Sequence, residues 1–366
     1  MRKRTLCSLF IGALLFGACL SGCAYKDIDK RSFVIAVGVD ASGDKKKPLR
    51  VTLKIAIPTS DIKSGENRFL LLTADGELVA EAIHRLSSMH ENALDFSHTK
   101  LIFIGRSLAE EKPLREIMDW FYRMETIQGI ALVALADPNA NKVLKVNPPS
   151  ERIPSNSLFT ALDGSGTPSP YIAQSFLFDV VRRLYEPGLD PYLPIVRAKS
   201  EIGYQIDRIA LFDKQKMRLT LNPEDSEWLN FLRGETSNVD FTSGKDKLYF
   251  QVDPNRAKAV LRVAQGEGGL WARFDLRLYG SIDERQKTGT SLSRVTKEIE
   301  AVVKEKTERL LGRLQKAEVD PIGIGLRYLS AYPGETSYRK YRRAYPTMPV
   351  EVNVQVTVYE TGNVIR

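Results

Sequence analysis

Cys23 is the residue of this sequence whose type and setting most directly indicate chemistry. It follows Leu20, Ser21 and Gly22. Small side chains at positions 21 and 22 allow an extended chain to enter a protease active site, and the cysteine thiol can act as the nucleophile that takes up a diacylglyceryl group. After cleavage, the freed amine of the same cysteine can also be acylated. We therefore predict cleavage before Cys23 and its conversion into an N-palmitoyl, S-diacylglycerol cysteine.

Residues 1–22 have the layout of a secretory signal peptide. Three positive residues near the start are followed by an apolar run from Leu6 to Ala18, as in exported precursors. The run is shorter than the roughly 20 apolar residues that a membrane-spanning helix needs. Together with the small residues before Cys23, it resembles the lipobox signal of bacterial lipoproteins. The alternatives are an uncleaved N-terminal anchor or an ordinary secretory signal followed by an accidental cysteine.

The predicted lipid would hold the mature chain on a membrane surface. Each buried CH₂ group contributes about 0.8 kcal/mol, so two or three acyl chains anchor a protein stably. Residues 23–32 are polar and are predicted to form the lipidated tether. Beyond them we find no run long and apolar enough to span a bilayer. Cys7 and Cys19 leave with the signal peptide, so the mature body must fold without a disulfide.

Composition and charge exclude several classes of protein. With 43% hydrophobic and 27% charged residues, the chain is predicted to be a folded body of two or three domains. The formal net charge is +8, and removal of the signal peptide leaves about +5, which is modest for this length. We therefore expect no nucleic-acid partner.

The three histidines, His84, His90 and His98, are the first candidates for a metal site. On a helix, positions 84 and 90 are about 240° apart and do not share a face. No cysteine or carboxylate is spaced to complete a ligand set. The sequence therefore predicts no metal site.

Other short motifs also lack the context that chemistry requires. Gly164-Ser165-Gly166 lies in a proline-rich loop and is interpreted as a linker. Gly323-x-Gly325 lacks the strand–glycine–helix setting of a dinucleotide site and is interpreted as a tight turn. Glu224 and Asp225 suit a helix start, where they complement the helix dipole. We predict no catalytic residue, no cofactor and no enzymatic activity.

The segment Tyr338–Arg343 is the densest basic and aromatic cluster in the sequence. It has two interpretations. One is contact with phosphate headgroups or with an acidic partner protein. The other, which we favour, is a solvated helix or loop face.

The predicted elements indicate an N-terminal α+β domain over residues 33–200, possibly with two subdomains. Strands are predicted at 33–39, 49–57, 101–105 and 130–136. Val79, Ala82, Ile83 and Leu86 form one apolar face of a helix over about 77–90. A further helix is predicted from Pro113 and another near 139–146. Residues 155–199 are predicted to be helical in two pieces, except for Asp190–Pro194, which is predicted to be extended.

A C-terminal α+β domain is predicted over residues 205–366. Its strand signals fall at 208–212, 217–221, 247–252, 257–263 and 270–279, and a long amphipathic helix at 293–317 follows them. Valines alternate with polar residues from Val350 to Val358, as expected for a half-buried antiparallel strand. The predicted fold class is α+β, with mixed and antiparallel sheets, packed helices and a long helix against an antiparallel sheet.

These pieces together resemble the Ger(x)C family of spore germination lipoproteins, the C subunits of nutrient germinant receptors. The resemblance covers nearly the whole mature chain and depends on the order and spacing of several motifs. They are Cys23, Phe33–Asp40, His98–Gly105, Pro149–Pro154, Asp190–Pro194, Arg208–Phe212 with Lys214, Asp320–Gly325, Tyr332-Pro333, and the valine strand before Thr361-Gly362. Ala24-Tyr25 stand where the family usually has Trp-Asp, and a tryptophan usual before the last strand is absent.

The resemblance implies a role beside two integral-membrane subunits on the outer face of the inner spore membrane. One is a large A-type subunit with a cytosolic domain, and the other is a permease-like B-type subunit. The alternative is a solute-binding lipoprotein that delivers a small ligand to a membrane transporter. That alternative predicts a deep cleft between two similar α/β lobes, whereas the strand-rich second half lacks regular βαβ alternation.

Overall fold

The computed structural model describes residues 30–57, 68–148, 155–166, 169–200, 203–236, 239–242, 248–285 and 291–359. The signal peptide, Cys23 and most of the predicted tether lie outside these ranges. Within them, every helix is either too short or too polar to cross a bilayer.

The strands of the described residues form two sheets. The first sheet contains β1 Arg31–Ala41, β2 Leu49–Ala56, β3 Phe69–Gly76, β4 Ala93–Asp95, β5 Leu101–Gly105, β6 Leu132–Asp137, β7 Tyr192–Ser200, β8 Gly203–Phe212 and β9 Met217–Thr220. The second contains β10 Asp240–Thr242, β11 Leu248–Val252, β12 Lys258–Gly266, β13 Gly269–Arg285 and β14 Val350–Val358.

Ten helices connect and cover these strands in the described part of the chain. In chain order they are α1 Val79–Ser88, α2 Arg106–Glu111, α3 Leu114–Arg123, α4 Ala140–Lys145, α5 Asn156–Asp163, α6 Leu177–Tyr185, α7 Pro223–Leu232, α8 Leu292–Lys316, α9 Ile324–Ala331 and α10 Glu335–Ala344. A 3₁₀ turn, Tyr345–Thr347, joins α10 to β14.

Parallel strands form the centre of the first sheet, whose order is β3-β2-β1-β5-β6-β7-β8-β9. β1, β5, β6 and β7 pair in parallel, and β2, β3, β8 and β9 extend the sheet with antiparallel pairs. β5 and all but the last residue of β6 are buried, as is typical of parallel strands with helices on both faces. One core lies under α1, α3 and α6, and a smaller one lies under α4 and α5.

β8 joins the N-terminal and C-terminal halves because its two faces enter different cores. Ala210 and Phe212 pack into the core under α1, α3 and α6, whereas Ile209 and Leu211 pack into the core of the second sheet. β8 begins at the domain boundary predicted near 200–204 and β9 lies beyond it, yet both belong to the first sheet, where β8 pairs with β7 and β9 pairs with β8. Independent folding of residues 33–200 and 205–366 stays a prediction.

β13 organises the second sheet by pairing along both edges. β11 and β12 follow one another along one edge, both antiparallel to β13, and β14 pairs with β13 in parallel from Ala272↔Val350 to Gly280↔Val358. The long helix α8 packs against β14 and buries the predicted stripe, which includes Val295, Ile299, Val303, Leu310 and Leu314.

The predicted fold class, α+β with mixed sheets and a long C-terminal helix against a sheet, is confirmed. Three details of the prediction are wrong. The closing valine strand pairs in parallel rather than antiparallel. β7, Tyr192–Ser200, begins within the predicted extended segment Asp190–Pro194 but continues through residues 195–199, which the prediction had left in the helical region. Strand β3 and helices α9 and α10 were not predicted.

Candidate functional site

The predicted lipid site, Cys23, lies outside the described residues, but the structure shows where its tether joins the body. The described residues begin at Lys30, and Arg31 begins β1. The Arg31 guanidinium pairs with the Asp95 carboxylate of the neighbouring strand β4. Arg31, near the end of the predicted tether, is therefore paired with a neighbouring strand of the first sheet.

The three histidines occupy separate environments. His84 is exposed on α1. The Nε2 atom of His90 lies 2.7 Å from the Ser32 hydroxyl, and the His98 ring makes an edge contact with Phe33 at a centroid distance of 4.7 Å. Within the described residues, no three His, Cys, Asp or Glu side chains are grouped to hold a metal ion.

The other short motifs have structural partners. Ser165 donates its hydroxyl hydrogen to Asp163 at 2.6 Å, which closes a local turn after α5. Glu224 and Asp225 lie in the first turn of α7, as predicted, and pair with Lys306 and Arg313 of α8. These contacts tie α7 to the long helix.

The segment Tyr338–Arg343 lies on α10. One face of this helix is buried and the other is open to solvent. Tyr341 is fully buried, and the Arg342 guanidinium lies 4.0 Å from the Asp190 carboxylate. Arg339, Lys340 and Arg343 line an open surface depression of about 530 Å³. The cluster thus combines a buried tyrosine with a solvated basic face.

The buried part of α10 belongs to a polar site that we call the aspartate junction, formed by Arg183, Asp190, Lys214, Asp320 and Tyr341. Its centre is a reciprocal pair: the backbone N–H of Asp190 donates to the Asp320 carbonyl at 2.8 Å, and the backbone N–H of Asp320 donates to the Asp190 carboxylate at 2.8 Å. The two aspartates lie 130 positions apart. The junction therefore joins the loop before β7 to the segment after α8.

Asp320 accepts hydrogen bonds from four donors. Its Oδ1 atom accepts from the backbone N–H groups of Gly323 and Ile324 at 2.8 and 3.0 Å, and its Oδ2 atom accepts from the Gly325 N–H and the Tyr341 hydroxyl, each at 2.7 Å. The three backbone N–H groups among these donors lie at the start of α9, where a helix leaves its first N–H groups without a partner. Burial raises the pKa of Asp320, and the donors oppose that effect.

Two cations complete the aspartate junction on its N-terminal side. Arg183 donates to the carbonyls of Asp190 and Pro321 at 3.3 and 3.1 Å. The Lys214 ammonium lies 3.6 Å from the Asp190 carboxylate and donates to the Glu186 carbonyl at 2.7 Å. Burial lowers the pKa of Lys214, against the attraction of Asp190.

Two glycines allow the backbones to approach closely at this junction. A Cβ atom on Gly325 would lie 2.7 Å from the Gly188 Cα atom and 2.3 Å from the Tyr341 ring. Gly188 also adopts a positive φ of 74°, and its carbonyl accepts from the Leu326 N–H at 2.8 Å. The Gly323-x-Gly325 motif was interpreted from the sequence as a tight turn. In the structure it forms the start of α9 and packs on the other half of the protein.

Chemically, the aspartate junction is suited to holding two chain segments together. The Asp320 carboxylate accepts four hydrogen bonds, the Asp190 carboxylate accepts one and lies near two cations, and no member is a nucleophile beside a free base. The sequence contained both Asp-Pro pairs, 190–191 and 320–321, but nothing in their spacing indicated that they would meet. The signal that could have found them is a buried aspartate before a helix start with glycines in its first turn.

A polar depression of about 850 Å³ lies where β1, β5 and β6 end. Some of its charged groups are paired with one another or with backbone. Arg50 and Asp75 form two hydrogen bonds of 2.8 and 2.9 Å, and the Asp40 carboxylate accepts from the N–H groups of Ala140 and Asn141. The depression is at one edge of the first sheet and is not a cleft between two similar lobes.

Glu227 is a buried carboxyl whose ionisation should depend on folding. It lies on α7, is 7% exposed and accepts from the Asp240 N–H at 3.0 Å, and burial raises its pKa to about 7. The unfolded carboxyl loses its proton near 4.5, whereas the folded one keeps it until about 7. Stability should therefore fall as pH rises through this window. We expect Glu227→Gln to raise the free energy of unfolding by about 2 kcal/mol at about pH 8, measured by urea denaturation.

The matched control for this prediction is Glu224→Gln on the same helix. Its hydrogen bond from Lys306 lowers the pKa of Glu224, so the ionised form stabilises the fold above the unfolded pKa and this contribution is lost at low pH. The control should therefore lower stability near neutral pH. Equal stability of Glu227→Gln and the wild-type protein at both ends of the pH window would contradict the buried-acid assignment.

Comparisons with known proteins agree with this architecture. A domain model described as "Spore germination protein N-terminal domain" matches residues 24–198, and one described as "Spore germination B3/ GerAC like, C-terminal" matches residues 207–362. The chain is 22% identical over 392 residues to "Spore germination protein KC" of Bacillus subtilis (strain 168), covering 97% of this chain and 96% of the relative. It is 25% identical over 152 residues to "Spore germination protein B3" of the same organism, covering 40% of each chain.

A solved structure supports the fold independently. The crystal structure of the GerBC protein superposes with a TM-score of 0.57 at 14% identity, covering 88% of this chain and 96% of that one. The two domain matches account for both halves in the observed order, and the overall fold is shared with a solved structure. The chain belongs to the Ger(x)C family of spore germination proteins.

Proposed function

We propose that this chain is a lipid-anchored, non-enzymatic subunit of a spore nutrient germinant receptor. The observation that carries the proposal is the match of both halves to spore germination domains, with the N-terminal match beginning directly after Cys23. In this proposal, acyl chains on Cys23 hold the body on the outer face of the inner spore membrane. Its partners there are the large A-type and the permease-like B-type subunits.

The physical advantage of such an anchor is a high effective concentration beside the integral partners. A body tethered by the seven residues between Cys23 and Arg31 explores a thin layer above the bilayer, so weak contacts with neighbouring subunits become intramolecular in effect. The described structure is consistent with this role, since the sites that we analysed hold chain segments together and none combines a nucleophile with a base.

The test is deletion of the gene in the organism that carries it. Spores without the protein should fail to germinate in response to a nutrient to which wild-type spores respond, and the wild-type gene in trans should restore the response. Both integral subunits should co-purify with the protein from detergent-solubilised spore membranes. An unchanged response to every nutrient that triggers wild-type spores would refute the receptor assignment.

The solute-binding alternative is separated by thermal shift. A protein that captures a small ligand should unfold at a higher temperature when amino acids or sugars are present well above their dissociation constants. A receptor subunit whose partners hold the ligand should not. A ligand-specific shift combined with a normal nutrient response in the deletion strain would favour transport over germination.

A further inference from the structure

The strands that begin the first sheet place one edge of the protein next to the predicted lipid. β1, β4, β5 and β6 are parallel, so all four start towards the same edge of the sheet, with β5 and β6 starting level with Ala36, five residues beyond the start of β1. β1 carries the tether at this edge. We call the residues at this edge, Arg31, Lys100, Ile130 and Phe178, the tether edge.

Two large apolar side chains are exposed at the tether edge. Ile130 precedes β6 and is 62% exposed, and Phe178, in the first turn of α6, is 52% exposed. Their backbones are adjacent, because the Phe178 N–H donates to the carbonyl of Gly129 at 3.0 Å. Phe178 stacks on Phe176, with ring centroids 5.7 Å apart, and Phe176 in turn packs on the core under α4 and α5. The exposed pair is therefore held on a rigid base.

The polar residues around this pair suit the interface between water and lipid. Lys100 is exposed at the start of β5, and its ammonium lies over the Phe159 ring at 4.5 Å. Tyr122, 63% exposed, ends α3 shortly before the chain enters β6. Two exposed carboxylates, Glu91 and Glu125, offset much of the positive charge. Attraction to the bilayer would therefore depend on apolar burial, with tyrosine and lysine at headgroup level.

The length of the tether decides which edge of the sheet can reach the membrane. The seven residues between Cys23 and Arg31 make eight Cα–Cα steps, which span at most about 29 Å when fully extended. The level of Leu101 on β5 lies five residues along β1 from Arg31, or about 16 Å. The opposite edge, at Ala41, lies ten residues along β1, or about 33 Å. A bilayer that holds the acyl chains is within reach of the tether edge and out of reach of the polar depression.

We propose that the tether edge rests on the bilayer, with Ile130 and Phe178 inserted among the lipid headgroups and acyl-chain ends. This inference rests on the proposed lipidation of Cys23. It orients the body so that the polar depression at the ends of β1, β5 and β6 faces away from the membrane. The occupant of this surface is lipid, and the basic face of α10 is not the membrane contact.

The test measures the depth of single fluorescent labels in the lipidated protein. The only other cysteine of the mature chain is Cys23, whose thiol is consumed by the lipid, so an introduced cysteine is labelled alone. The mature protein is purified from membranes as Ile130→Cys, Asp44→Cys or Arg339→Cys and reconstituted into vesicles of phosphatidylcholine and phosphatidylglycerol. The vesicles contain a lipid that carries a nitroxide quencher just below the headgroup.

We expect the label at position 130 to shift to the blue and lose most of its emission to the quencher. Labels at position 44, beside the polar depression, and at position 339, on α10, should remain as in water. Phe178→Ser in the position-130 variant should reduce the quenching, since it removes the remaining native apolar side chain of the pair. A water-exposed label at 130 in these vesicles, which contain no other protein, or stronger quenching at 44 or 339, would overturn the proposed orientation.

Failure of the lipid anchor would produce a different result. The protein without an introduced cysteine should take up no label, because its only thiol carries the lipid. If it is labelled, and if it does not float with the vesicles, the anchoring proposal itself is refuted. If it floats and position 130 is unquenched, only the orientation is refuted.

Discussion

We expect Cys23→Ala to move the protein from the membrane fraction to the soluble fraction and to abolish the nutrient response of the spores. Alanine at this position has no thiol to accept a diacylglyceryl group, so the acyl chains that hold the body at the bilayer are never attached. Without them the effective concentration beside the integral subunits falls by orders of magnitude. Fractionation with immunoblotting and the fall in optical density of spores given nutrient measure the two effects.

The matched control is Cys19→Ala, because position 19 is removed with the predicted signal peptide. It should leave membrane association and the germination rate unchanged. Mass spectrometry of the mature amino terminus should find Cys23 with its acyl groups in the wild-type protein. Normal germination of the Cys23→Ala strain, or an unmodified mature terminus, would contradict the anchoring mechanism.

Local periodicity explains why much of the N-terminal half was predictable. Val79, Ala82, Ile83 and Leu86 were assigned to one helix face, and they are the four buried residues of α1. The β-branched run at 33–39 became the central strand β1. In such segments the burial pattern is repeated every few residues, so the sequence carries the signal without reference to distant partners.

Strand direction in the second sheet was not predictable from the same kind of signal. Alternation from Val350 to Val358 correctly indicated a strand with Val352 and Val356 buried. The alternation did not indicate whether the neighbouring strand is parallel or antiparallel, because side chains alternate in the same way in both kinds of pair. The partner β13 begins about 80 positions earlier, and the crossover includes α8, which allows the parallel pairing.

The aspartate junction was missed for a related reason. The pattern around Asp320 was noted as a motif, and Asp190 as another, but a contact across 130 positions has no local signature. Helix α9 begins where it does because Asp320 accepts from its first N–H groups. Glycines in that first turn lower helix propensity, so propensity alone argued against a helix here. Tertiary contacts decided the local structure.

Asp320→Ala should lower the free energy of unfolding by about 4 kcal/mol, the largest stability effect that we expect from a single side chain in this protein. The substitution removes one carboxylate and leaves three backbone N–H groups and the Tyr341 hydroxyl without an acceptor in a site closed to water. Asp320→Asn keeps one oxygen acceptor and should cost about half as much. Urea denaturation followed by circular dichroism measures the differences.

Glu267→Ala is the matched control, because this exposed carboxylate lies in the hairpin between β12 and β13. Its effect should stay within about 0.5 kcal/mol of zero. If Asp320→Ala is as mild as this control, water must reach the four donors. In that case Asp320 would not hold the start of α9 against the loop before β7.

A double-mutant cycle with Tyr341→Phe isolates the bond that connects α10 to this site. Phenylalanine keeps the ring that packs against Gly325 and removes only the hydroxyl that donates to Asp320 at 2.7 Å. Once Asp320 is alanine, that hydroxyl has no carboxylate to meet, so its removal should cost less than in the wild-type protein. We expect a coupling energy of about 1–2 kcal/mol. Strict additivity of the two substitutions would mean that α10 is held by packing alone, and that the carboxylate serves only α9.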